Sequence, residues 1–238
     1  MITQYELHQG VKMRINKMLS NLGFCSRRET NRIIENNRIT VNGKPCIQGQ
    51  WVENIDTILI DNKPIPVKNK VYIVLNKPVG IICTAESKVQ NNIIKFLNFP
   101  QYIFPVGRLD KESEGLILMT NDGELANKIL ESENAHEKEY IVTLDKAYGD
   151  FFIEGMSKGV EISRVKTKPC KVTRINNDTF SIILTQGLNK QIRKMSRAFG
   201  YNVIKLKRIR IINIKIDGIE TGKWRMLTGY EVDELRNL

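Results

Sequence analysis

The spacing of apolar and polar positions changes character along the chain. Ile15, Met18, Leu19 and Leu22 recur as one helical face, and Gly23 ends the run. Ser26 follows, with Glu29 three residues on, which is the spacing of a capping box. A second helix is expected there, with Ile33 and Ile34 inward and Arg27, Arg28 and Arg32 outward. Ile39-Thr40-Val41 reads as a short strand, Asn42-Gly43 as a hairpin turn, and a further strand is expected around Thr57 to Ile60. Residues 12–63 therefore form a small module. Two prolines in Pro64-Ile65-Pro66 and the lack of a helical pattern make 64–70 an extended linker.

From Val71 the pattern alternates between strand and helix. Strands are predicted at 71–75, 116–120, 139–144, 171–173, 180–185 and 203–216. Helices are predicted around 93–97 and 124–130, the latter after an Asp122-Gly123 turn. A third runs from an Asn189 N-cap to about Phe199, with Gly200 ending it. Its apolar stripe is Ile192, Met195 and Phe199, and Lys190, Arg193, Lys194 and Arg197 occupy its other faces. Strand-rich segments with separated helices predict an α+β domain over 71–238, built on a mixed, mostly antiparallel sheet.

Composition narrows the class. Hydrophobic residues make up 41% and charged residues 26% of 238, enough to build a core, so disorder is not expected. No apolar run approaches the roughly 20 residues of a membrane helix. Met1 to Gly10 lacks a basic start followed by an apolar stretch, so no secretory signal and a cytoplasmic location are expected. Cys25, Cys46, Cys83 and Cys170 form no C-x-x-C pair, and His8 and His136 are the only histidines, so reduced thiols and no metal centre are expected. The Gly-rich turn that a nucleotide-binding methyltransferase would need is missing. No cofactor is expected.

Charge then points to a partner. Thirty-seven Lys and Arg oppose 26 Asp and Glu, giving a net charge of +11, which favours a polyanion. Between Ile162 and Ile216 there are 14 Lys or Arg and one acid, Asp178. A solvated face would interleave acids with its bases, so this segment reads as a nucleic-acid surface. Arg27 and Arg28 open a helix, where the helix dipole disfavours cations, so an external anion is a physical reason for them.

The run Gly107-Arg108-Leu109-Asp110-Lys111-Glu112-Ser113-Glu114-Gly115-Leu116 places one carboxylate, Asp110, behind an Arg-Leu pair and five residues before a glycine. Spacing alone leaves two readings open, a catalytic acid beside RNA and a surface turn. The run closely resembles the catalytic motif of the RsuA-type family of ribosomal RNA pseudouridine synthases. Gly23-Phe24-Cys25-Ser26-Arg27-Arg28-Glu29 resembles an S4 RNA-binding domain. Leu75-Asn76-Lys77-Pro78-Val79-Gly80, Glu137-Lys138-Glu139-Tyr140 and Gln186-Gly187-Leu188-Asn189-Lys190-Gln191-Ile192-Arg193-Lys194-Met195 resemble further motifs of that family. Within it, Asn121-Asp122-Gly123-Glu124-Leu125, His136 to Tyr140 and Thr167 to Val172 are most similar to members acting on large-subunit (23S) rRNA.

The resemblance implies a small N-terminal S4-like domain followed by a pseudouridine synthase catalytic domain. It implies Asp110 as the catalytic carboxylate, Tyr140 as an active-site tyrosine and Arg193 as a cation paired with Asp110. Arg108 would hold or replace the flipped nucleotide, Leu75 to Gly80 would be a structural strand end and turn beneath the site with Lys77 near phosphate, and Leu206 would line the pocket. The paired cation has a chemical reason, because it keeps a partly buried carboxylate ionised. Core packing for Tyr140 and a plain phosphate contact for Arg193 are the alternatives that the residues alone leave open. Arg27, Arg28, Arg32, Lys190, Lys194 and Arg197 are the remaining expected RNA contacts. The expected partner is ribosomal RNA, 23S above all, naked or in an assembly intermediate, bound by a monomer. The competing reading is a noncatalytic S4-type RNA-binding protein of ribosome assembly. A hydrolytic glycosidase would want a second working carboxylate, and the sequence offers no matching acid.

Overall fold

The computed structural model describes residues 12–66, 68–86, 88–131 and 135–238. The segment read for a secretory signal, with His8, lies outside the described residues. The chain divides into two compact units, one reaching to Val71 and including 100–103 and 121–124, the other holding 72–99, 104–120 and 125–238. The sequence pattern places 121–124 with the second domain. Asn121 explains the difference within the first unit. It is fully buried, its side-chain oxygen accepts from the Val71 N–H at 2.8 Å, and its amide donates to the Asn69 carbonyl at 2.9 Å.

The first unit opens with β1 (Met13–Arg14), α1 (Ile15–Asn21) and α2 (Arg27–Glu35). Ile15, Met18 and Leu19 are buried as the helical spacing requires. Gly23 breaks the chain at φ +69°, a left-handed turn that suits glycine. Ser26 caps α2 by accepting from the Glu29 N–H at 3.1 Å. Only half of the expected capping box forms, because the Glu29 carboxylate pairs with Arg32 at 3.2 Å instead. The strands β2 (Ile39–Val41), β3 (Lys44–Pro45), β4 (Trp51–Val52), β5 (Ile58–Ile60) and β6 (Lys63–Pro64) follow, and β3-β2-β5-β6 form one sheet. Asn42-Gly43 turns with positive φ at both positions, and Asp61-Asn62 repeats the device between β5 and β6. Pro64 thus ends a strand, and Ile65 packs on the core of this unit.

The second unit is built on a nine-stranded sheet. Its elements are β7 (Tyr72–Lys77), α3 (Ile93–Leu97), β8 (Phe104–Val106), β9 (Glu114–Thr120), α4 (Gly123–Leu130), β10 (Lys138–Leu144) and α5 (Asp150–Ser157). They continue with β11 (Glu161–Ile162), β12 (Val165–Lys166), β13 (Lys171–Arg174), β14 (Thr179–Leu184) and α6 (Gln191–Ala198). The chain ends in β15 (Val203–Ile211), β16 (Ile214–Lys215), β17 (Trp224–Met226) and α7 (Gly229–Arg236). The main path runs β13-β14-β10-β15-β9-β7-β17, with β8 on β9 and β16 on β15. Every pairing in it is antiparallel except β15 with β9. The expected long strand at 203–216 is two strands, since Ile212 turns the chain at φ 54°. Asn189 is not the cap of α6. Lys190 holds that position in left-handed geometry, and the Gln191 side chain accepts from the Leu188 N–H at 3.0 Å.

Both faces of this sheet are covered. One core gathers Val142, Leu144, Phe180, Ile182 and Leu206 under Phe152 and Met156 of α5 and Ile192 and Met195 of α6. The other gathers Val74, Leu116 and Leu118 under Leu125, Ala126 and Ile129 of α4 and Leu235 of α7. Central strands covered on both sides show continuous rather than alternating burial, as residues 115–120 do.

One register row organises the middle of the sheet. Val172, Ile182, Tyr140, Arg208, Gly115 and Lys77 are successive partners across β13, β14, β10, β15, β9 and β7. Paired residues point to the same face. Gly115 sits at φ +111°, and a Cβ there would lie 2.3 Å from the Arg208 carbonyl oxygen. β15 can approach β9 this closely only because the position is glycine. Gly115→Ala is expected to destabilise the protein by about 3 kcal/mol or more, from strain and backbone overlap together. Urea denaturation of the two proteins checks this.

Candidate active site

Asp110 lies in the connection between β8 and β9, in a tight turn closed by the Ser113 N–H donating to the Asp110 carbonyl at 3.0 Å. Buried Leu109 and Ser113 anchor the turn on either side, which leaves Asp110 half-buried. Its carboxylate has no hydrogen-bond or ion-pair partner among the described residues. Everything that holds it in place acts on the backbone around it.

Four groups do so. The Gly80 N–H donates to the Lys111 carbonyl at 2.8 Å, and the Leu109 N–H donates to Cys83 Sγ at 3.4 Å. Arg193, from α6, donates to the Glu112 carbonyl at 3.1 Å, to Ser113 Oγ at 3.4 Å and to the Val203 carbonyl at 2.8 Å. Arg208, from β15, donates through Nε to the Leu116 carbonyl at 2.7 Å and through Nη1 to the Arg108 carbonyl at 3.4 Å. The backbone of the Asp110 turn is therefore clamped from β15, from α6 and from the turn after β7.

The expected Arg193–Asp110 ion pair does not form. The fork of Arg193 is spent on carbonyls of the turn and of Val203, and those bonds fix where it points. The Glu112 carboxyl is held below the usual range, first by a hydrogen bond from its own backbone and then by Lys190, Arg193 and Lys111. Lys190 also pairs with Glu112 at 3.7 Å.

Tyr140 sits half-buried beside Arg208 in the register row, on the face covered by α6, and packs against that core. Its hydroxyl has no partner among the described residues. Core packing and a free hydroxyl at the site thus coexist in this residue. The Arg108 side chain is exposed, and its guanidinium makes no hydrogen bond or ion pair among the described residues.

One expected RNA contact, Lys77, is corrected by burial. Lys77 has 0% exposure, and its ammonium donates to the Pro78 and Ile81 carbonyls at 2.9 Å each. Burial also pushes its pKa down. It ties the turn after β7 instead of facing a phosphate. Leu206, at 6% exposure, faces Val142 across the sheet and belongs to the core under α6. Of the other basic candidates, Arg27, Arg28, Arg32 and Arg197 are exposed, and Lys194 donates to Ser163 Oγ at 3.2 Å. Arg164, Lys166, Lys168, Lys171 and Lys205 are exposed with no ion-pair partner among the described residues, so much of the basic segment does face solvent.

Sequence reasoning missed Arg208 and Cys83. Arg208 was legible in principle. It stands two residues beyond Leu206 in a strand, so strand alternation turns it to the same inward face. Cys83 carried no signal, since its role is to accept from a backbone N–H across a loop.

The family model described as RNA pseudouridylate synthase matches residues 71–198, and that of the S4 domain matches 13–47. The chain is 48% identical over 228 residues to a dual-specificity RNA pseudouridine synthase RluF from Salmonella typhi, covering 94% of this chain and 79% of the relative. It is 34% identical to ribosomal large subunit pseudouridine synthase B of Bacillus subtilis, over 94% of this chain and 96% of the relative. A crystal structure of a pseudouridylate synthase superposes with a TM-score of 0.71 at 26% identity, covering 94% of this chain and 99% of that one.

Because the Lys77 ammonium is buried and spent on carbonyls, Lys77→Met should leave unchanged the slope of log RNA affinity against log salt. Filter binding across a salt series checks this, and a slope lower by about 1 would mark a phosphate contact.

Proposed function

The chain belongs to the RNA pseudouridylate synthase family, and we propose that it isomerises a uridine of large-subunit ribosomal RNA using Asp110 as its catalytic carboxylate. It is an RNA pseudouridine synthase with an S4 domain. The ribosomal target is supported by the name of the Bacillus subtilis relative and by the acid-poor basic segment at 162–216. The observation that carries the catalytic reading is a half-buried carboxylate without a partner among the described residues, on a turn whose backbone is clamped from β15, α6 and the turn after β7.

The chemistry asks for this arrangement. The N1–C1′ bond of uridine breaks, the uracil turns, and a C5–C1′ bond forms. C5 gives up its proton and N1 regains one, so the reaction is balanced without a cofactor. As the glycosidic bond breaks, C1′ becomes electron-poor, and a carboxylate alongside it stabilises that carbon. One acid suffices because the uracil is both leaving group and returning nucleophile. The carboxylate must be free to meet the sugar, and its backbone must be fixed so that it does so at the right distance.

The target nucleotide must leave its stack, since a side chain held on a turn at the end of a central strand cannot reach a sugar inside a duplex. Arg108, exposed and unpartnered beside Asp110, takes the place of the extruded base or holds its phosphate. Tyr140 offers a ring for the splayed uracil and a free hydroxyl for proton movement at C5. Arg193 orients the turn in place of pairing with the carboxylate. The exposed bases of the 162–216 segment and Arg27 and Arg28 of α2 grip the phosphate backbone. In this reading the protein acts as a monomer in the cytoplasm. Separately, no helix among the described residues is long and apolar enough to cross a membrane.

Asp110→Asn is expected to bind rRNA as the parent does while tritium release from 5-tritiated uridine falls by about 100-fold or more. Full activity in that variant would remove the catalytic reading.

A further inference from the structure

The most unusual buried group outside the assigned set is Arg208. It is 3% exposed and has no acidic partner among the described residues. Nη2 is buried without any hydrogen-bond partner, and Nε of Arg193 is in the same condition nearby in the clamp. Lys77, two places along the same register row, is a second buried cation with no ion pair among the described residues. Burying a guanidinium with one nitrogen unsatisfied is costly, and apolar side chains of similar volume commonly do as well or better for stability. A core selected for stability alone has no use for this residue.

Its hydrogen bonds show what it does. Nε takes the Leu116 carbonyl and Nη1 takes the Arg108 carbonyl, so one planar group bridges the chain before Asp110 to the chain after it. Its backbone is fixed in turn, because β15 meets β9 at Gly115 with no room for a Cβ. Tyr140 is its cross-strand partner on the other side. We propose that Arg208 is a positioning residue for the isomerisation, a bridge that sets the distance between the Asp110 turn and the Tyr140 ring. This rests on the reading of Asp110 as the catalytic carboxylate. Arg208 does not touch the reacting atoms. It acts through the backbone that carries Asp110, and only a fork with two divergent donors can reach both carbonyls.

The test uses the full chain, with Arg208→Met and Arg208→Lys measured for thermal midpoint, rRNA affinity and single-turnover rate at saturating RNA. The expected result for Arg208→Met is a midpoint within about 3 °C of the parent, unchanged RNA affinity, and a rate lower by about 100-fold. Arg208→Lys keeps the charge but spans at most one carbonyl, so its rate should fall as well, again with unchanged affinity. A full rate in Arg208→Lys would overturn the proposal, because charge and not bridging would then matter. A collapse of the thermal midpoint in both variants would overturn it in favour of a structural role. If only Arg208→Met unfolds, the rate of Arg208→Lys decides. Asp110→Asn runs in the same assay. An active Asp110→Asn removes the reading of Asp110, whereas an inactive Asp110→Asn beside fully active Arg208 variants overturns the role of Arg208 alone.

Discussion

The close passage of β15 against β9 at Gly115 is the constraint on which the site depends. It creates the one parallel pairing of the main sheet and brings Arg208 into line between Tyr140 and Lys77. Three segments far apart in sequence thereby share one row. The turn that carries Asp110 springs from the start of β9, so any change in how β9 and β15 meet is transmitted directly to the carboxylate. Covering helices on both faces make that geometry stiff, because each side of the sheet is filled by its own apolar core.

Stiffness is concentrated in the backbone and withheld from the side chains of Asp110 and Tyr140. Carbonyls of Arg108, Lys111, Glu112 and Leu116 are each held by a donor, whereas the Asp110 carboxylate and Tyr140 hydroxyl are left without a partner among the described residues. A carboxylate locked in a protein ion pair would first have to break it to meet a sugar. Clamping the main chain avoids that cost and still fixes the position of the side chain. The cations around the turn therefore serve mainly as hydrogen-bond donors to carbonyls, and their buried charge is tolerated as a consequence.

Much of the architecture was legible in the sequence because its signals are local. The face formed by Ile15, Met18 and Leu19, the Asn42-Gly43 turn, and the strands around 72–77, 114–120 and 138–144 all follow from spacing and turn chemistry. The elements that escaped it, among them β1, β4, β6, β8, α5, β11, β12, β17 and α7, are short or depend on partners distant in sequence. The sequence located the elements that carry the proposed site residues but not their contacts. Asp110, Tyr140 and Arg193 do come from the elements expected, but a sequence does not say whether an arginine takes a carboxylate or two carbonyls. Lys77 illustrates the same limit. A lysine beside a proline turn is expected near phosphate until the register with Gly115 shows that it points inward. Asn189 failed as a cap because the left-handed residue at Lys190 already redirects the chain.

The most direct measurement of the central claim is a map of new pseudouridines in unmodified 23S and 16S rRNA after incubation with the protein, read by carbodiimide treatment and primer extension. The account predicts a protein-dependent stop in 23S rRNA at a uridine that must leave its stack. No new stop in either RNA, with both still bound by the protein, would contradict it and would leave a binder of ribosomal RNA without this chemistry.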